Sequence, residues 1–89
     1  MSPREHLAAL HELPCVVCWL LEGRRNHVGI QAHHVESIRD SMSDYAAVPI
    51  CVDHHQLLHA SSRRTFERMT RLTPIDMLAG TVFLIRSEG

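Results

Sequence analysis

The chain has no lysine. All nine basic residues among its 89 are arginine, set against ten acidic ones, for a formal net charge of −1 with histidine neutral. A balance this close to zero argues against a non-specific nucleic-acid-binding protein, which usually carries a basic face. Aromatic residues are scarce at 4%, so a core has to rest on Leu, Ile, Val, Met and Ala. No apolar run approaches the roughly 18 residues needed to span a bilayer. Residues 1–13 are charged and lack the apolar stretch of a secretory signal. The expectation is a reducing, cytoplasmic setting with no membrane partner. In that setting Cys15-x-x-Cys18, in a chain with only three cysteines, reads as a metal pair rather than a disulfide.

Repeats, linkers and low-complexity segments are also missing, which points to a single domain over residues 1–89. A chain of this length buries a limited core and gains from a staple such as a metal. What the sequence has in excess is histidine, eight residues, most of them at 27–34, at 54–59 and near the N-terminus.

Local signals predict an α+β chain. Ser2 and Pro3 open a helix over 3–13, with Leu7, Leu10 and Leu13 recurring every third residue, and Pro14 ends it. A cysteine knuckle follows. Residues 30–34 read as a strand. Residues 36–47 read as a loop with room for one helical turn, and Val48-Pro49-Ile50 as a short extended segment held at an edge by its proline. A helix is expected from Asp53 to Ala60. A second, over 63–72, should turn Phe66, Met69 and Leu72 inward, and a third, over 74–86, should present Ile75, Leu78, Val82 and Ile85 on one face.

Two metal-ligating constellations stand out. Cys15 and Cys18 are spaced as Cys51 and His54 are, and two such half-sites supply the four thiolate and imidazole ligands that tetrahedral structural zinc requires. His55 is an alternative to His54 as fourth ligand, and three merely buried cysteines are the plainer reading. His55 and His59 lie four apart on one face of the predicted helix. His33 and His34 are adjacent on a strand, so they point to opposite sides. With His33, His55 and His59 as ligands, a divalent cation would keep open positions, the mark of a catalytic site. His34 could then take a proton from an attacking water. Arg24, Arg25, Arg63, Arg64 and Arg68, with Arg71, are candidate DNA phosphate contacts, because the guanidinium fork matches phosphate. A solvated helix face explains the same residues equally well.

The segments C15-V-V-C18, A32-H33-H34-V35 and V48-P49-I50-C51-V52-D53-H54-H55-Q56-L57-L58-H59 resemble the HNH, or His-Me finger, endonucleases. The paired histidines with H-x-x-x-H resemble the branch found in bacterial toxin nucleases. The run around them is similar to the phage recombination-enhancement nucleases and related small prophage proteins. The resemblance covers about residues 14–60 and leaves a helical extension over 61–86. It implies a central ββα-metal unit with a zinc knuckle; the one N-terminal helix and the two C-terminal helices around it rest on capping and periodicity alone. It also implies His34 as general base, His33, His55 and His59 on a catalytic Mg2+, Mn2+, Ni2+ or Zn2+, and Cys15, Cys18, Cys51 and His54 on structural zinc. DNA is the implied substrate, a recombination or packaging protein an implied partner, and a phage or prophage in a bacterial host the implied origin. Where the family carries its middle Asn this chain has Ala46, and Asp44 is the nearest polar replacement. The competing reading is a non-catalytic zinc module that binds DNA or protein through a degenerate site.

Overall fold

Ser2 starts the first helix as the sequence predicts. Its hydroxyl accepts from the Glu5 N–H at 3.1 Å, and the Glu5 carboxylate accepts from the Ser2 N–H at 3.3 Å, a reciprocal cap that satisfies two otherwise orphaned donors. The Ser2 side chain, followed by its backbone N–H, holds the Glu5 carboxyl below its usual value. This computed structural model describes residues 2–35 and 41–88. Among them are five α-helices, one 3-10 helix and a two-stranded antiparallel sheet: α1 (Pro3–Leu10), α2 (Val16–Glu22), β1 (Ile30–His34), the 3-10 helix (Ser41–Ala46), β2 (Ala47–Cys51), α3 (Val52–Ala60), α4 (Arg63–Thr70) and α5 (Pro74–Glu88).

Helix α1 is shorter than the predicted 3–13. The N–H groups of His11, Glu12 and Leu13 bond back three residues, to Ala8, Ala9 and Leu10, which tightens the chain out of the helix before Pro14. The expected knuckle is more than a turn. Cys15 caps α2, its sulfur accepting from the Cys18 N–H at 3.5 Å. Gly23, at φ 66°, closes the helix in the left-handed conformation that glycine adopts without strain.

β1 pairs with β2 from Ile30 opposite Cys51 to His34 opposite Ala47, which sets Ala32 opposite Pro49. Among the described residues these are the only two strands, so each keeps one unpaired edge, the setting in which a strand tolerates proline. Of the loop expected over 36–47, residues 41–46 belong to the 3-10 helix, Ala47 opens β2, and 36–40 lie outside the described residues. All five residues of β2 are buried. Ala47, Val48 and Ile50 join Leu10, Val16, Val17, Phe66 and Leu84 in the core.

The C-terminal helices depart from the periodicity reading. α4 stops at Thr70, because Arg71 turns left-handed at φ 62° and donates to the Glu67 carbonyl. The Thr70 hydroxyl donates to the Phe66 carbonyl, and Thr70 is buried where Met69 was expected. Met69 is exposed, while Phe66 and Leu72 are buried as predicted. On α5 the inward residues are Met77, Thr81 and Leu84, with Leu78 and Ile85 half-buried; Ile75 and Val82 face outward. The helix is apolar nearly all round, so its pattern leaves the phase open. Close approach to α2 decides it: a Cβ on Gly80 would lie 2.8 Å from Val16 Cγ2. A side chain there would force Val16 to shift.

Candidate metal centres

The two cysteine-bearing half-sites have one design. Cys15 is the cap of α2, and Cys18 lies in its first turn. Cys51 ends β2 and caps α3, and His54 lies in that helix's first turn. A residue at the cap and another three positions on both project over a helix N-terminus, where backbone N–H groups and the helix dipole favour thiolate. The two termini face each other. His54 Nδ1 lies 3.2 Å from Cys51 Sγ, 3.5 Å from Cys18 Sγ and 3.7 Å from Cys15 Sγ. Tetrahedral zinc, with sulfur at about 2.3 Å and nitrogen at about 2.0 Å, separates S and N ligands by roughly 3.5 Å. The donor set therefore fits the ion, and Cys15, Cys18, Cys51 and His54 could hold zinc. His55 points to a different group of side chains.

The sulfurs are in reduced form and buried. Burial pushes the Cys15 thiol up to about 12; a bound divalent ion reverses that preference outright. Cys18 Sγ also accepts from Arg24 Nη2 at 3.6 Å and from Asn26 Nδ2 at 3.7 Å. Those donors would offset the negative charge of a three-thiolate centre.

The second constellation is imidazole alone. His33, His55 and His59 place their ring nitrogens within 4.8 Å of one another. His55 Nε2 and His59 Nε2 are 3.0 Å apart, and the His33 ring centre is 5.1 Å from that of His55 and 6.0 Å from that of His59. Ligands about 2.1 Å from one cation sit roughly 3.0–3.4 Å apart, so the His55–His59 pair already has ligand spacing. Burial, followed by the neighbouring histidines, pushes His33 down to about 4. Burial and His59 lower His55 as well. Neutral imidazole is the form that ligates.

His34, the next residue along β1, is exposed on the other side of the strand. Its Nε2 lies 3.0 Å from Asp44 Oδ1, a carboxylate of the 3-10 helix. Ala46 is the last residue of that helix and offers no polar side chain. The arginines divide. Arg24 bonds Glu22 at 2.9 Å as well as Cys18. Arg25 stacks over Trp19 at 4.9 Å, and Trp19 is stacked on Phe83. Arg63 lies 3.8 Å from Glu67 and lines a cavity of about 180 Å³ with His33, His34 and Phe66. Arg64 and Arg68 are exposed on α4.

Two residues of these centres were absent from the sequence reading. Asn26 carried no spacing signal. Gln31, whose Oε1 lies 2.6 Å from His55 Nδ1, could have been found, because it is two positions from His33 and shares its strand face. No family model matches the chain, and no curated protein or solved structure does. Among the described residues no helix is long and apolar enough to cross a membrane.

Proposed function

We propose that the protein is a metal-dependent endonuclease of the HNH, or His-Me finger, type, hydrolysing DNA phosphodiester bonds from a ββα-metal unit made of β1, β2 and α3. The observation that carries this reading is the division of two neighbouring histidines. His33 turns to His55 and His59, while His34 turns the other way and meets a carboxylate. One strand thus sets a three-imidazole cluster beside an oriented imidazole base.

The cation would stabilise the charge that develops on the pentacovalent phosphate and on the leaving 3′ oxygen. Three imidazoles and no carboxylate suit Ni2+ or Zn2+ better than Mg2+. His34 donates Nε2–H to Asp44, which leaves Nδ1 as the lone pair that removes a proton from the attacking water. Asp44 then stabilises the imidazolium. Asp44 fills the polar role that Ala46 cannot. Arg63, Arg64 and Arg68 on α4 would meet DNA phosphates.

A second reading, a zinc module that binds DNA or protein without cutting, draws on Ala46 and on the net charge of −1. Nicking of supercoiled plasmid separates the two. The nuclease reading expects nicking with Mn2+ or Ni2+ that His34→Ala abolishes, while zinc content and the circular dichroism spectrum stay unchanged. Equal background nicking by both proteins in every metal leaves the binding module as the function.

A further inference from the structure

The first sphere of the three-histidine cluster does not by itself determine which nitrogen of His55 is free. A neutral imidazole carries one proton, and ligation through Nε2 requires that proton on Nδ1. His55 Nε2 faces His59 Nε2 at 3.0 Å, and His55 Nδ1 faces Gln31 Oε1 at 2.6 Å. The group opposite Nδ1 therefore selects the tautomer. A carbonyl oxygen there accepts from Nδ1–H and leaves the Nε2 lone pair directed at the cluster. An N–H donor there would move the proton to Nε2 and block ligation.

We propose that Gln31 is a positioning residue of the cation site, fixing the Nδ1–H tautomer and ring orientation of His55 through its side-chain carbonyl. The placement follows from the strand. Gln31 and His33 are two apart on β1 and share one face, so the strand supplies a ligand and the orienter of a second ligand, while α3 supplies His55 and His59. Gln31 is exposed and its pairing partner across the sheet is Ile50. It anchors no core packing, and the bond to His55 is its own chemistry. A partner in this position also raises the basicity of the ligating nitrogen. This inference rests on the cation site of the proposed nuclease, and not on DNA cleavage.

The test is Ni2+ binding to zinc-loaded protein by calorimetry, with wild type, Gln31→Leu and Gln31→Glu. Gln31→Leu keeps one zinc per chain and weakens Ni2+ binding about 10- to 100-fold. Gln31→Glu, whose carboxylate can only accept, binds Ni2+ at least as tightly as wild type. Nitrogen-15 spectra of the histidine rings supply the readout that a spacer role would not move. Recorded before Ni2+ is added, they show His55 with a protonated Nδ1 and a bare Nε2 in wild type and Gln31→Glu, and a tautomer mixture in Gln31→Leu. Ni2+ binding within twofold of wild type in Gln31→Leu overturns the proposal. So does Gln31→Glu binding more weakly than Gln31→Leu, or wild type that binds no Ni2+ beyond its zinc. If the affinity order holds and wild type fails to nick DNA, the nuclease reading falls and the role of Gln31 stands.

Discussion

Replacing Cys15 with serine should unfold the chain or bring it close to unfolding, and the size of the effect follows from two features of the fold. Serine is a strong helix cap, so Cys15→Ser can keep the hydrogen bond that starts α2 and removes only the sulfur ligand. The cost is then that of the metal tie. Cys15 and Cys51 lie 36 positions apart, and closing a loop of that length is worth about 4 kcal/mol by chain-entropy reasoning. Structural zinc in small domains supplies more in total, on the order of 10 kcal/mol. The whole stability of an 89-residue chain is of order 4–13 kcal/mol. For a domain of this size each 1 kcal/mol moves the melting temperature by about 4–8 °C, so the loop term alone predicts a fall of roughly 15–30 °C. Thermal melts followed by circular dichroism, with zinc measured on the same samples, check it. Wild type should hold about one zinc per chain and Cys15→Ser little. A zinc-free wild type, or a variant that melts within a few degrees of it, would refute the argument.

Two further outcomes follow from the histidine side. Asp44→Ala should slow nicking roughly 10- to 100-fold by freeing the His34 ring from its productive orientation, while Ni2+ affinity at the His33 cluster stays within twofold; equal losses in both would remove Asp44 from the base. In zinc-loaded protein without a second cation, NMR should show the His33 ring titrating near 4 and not near the ordinary 6.5. Because the folded chain holds that proton less tightly than an unfolded one, His33 costs stability progressively as pH falls from about 6.5 towards 4, and none of this penalty applies above 6.5. A His33 midpoint at or above 6.5 would contradict its half-buried place among the other histidines.

The groupings within the two centres were legible because they rest on short-range geometry. Cys15 with Cys18, Cys51 with His54, and His55 with His59 each sit three or four apart, and strand alternation separates His33 from His34. The choice of His54 over His55 beside the thiols was not legible. Both lie in the first turns of α3, and only the meeting of the α2 and α3 termini decides between them. Helix α2 was missed because Val16–Glu22 is too short and too uniformly apolar to show a period, although Gly23 carried the signal of its end. The α5 face was misjudged in part for a similar reason: Met77, Gly80, Thr81 and Leu84 face the rest of the molecule, while the large Ile75 and Val82 face out. Hydrophobicity marks a face only when the opposite face is polar.

The proposed nuclease activity depends on the three-histidine cluster driving DNA hydrolysis. The direct measurement is plasmid nicking as Mn2+ or Ni2+ is titrated into zinc-loaded protein, with wild type beside His59→Ala. Wild type should begin to nick as a second equivalent of cation binds. His59→Ala should keep its zinc and fold, bind the second cation more weakly and lose nicking at matched metal. Nicking absent from wild type in every metal, or unchanged in His59→Ala, would contradict the assignment of this site as a nuclease centre.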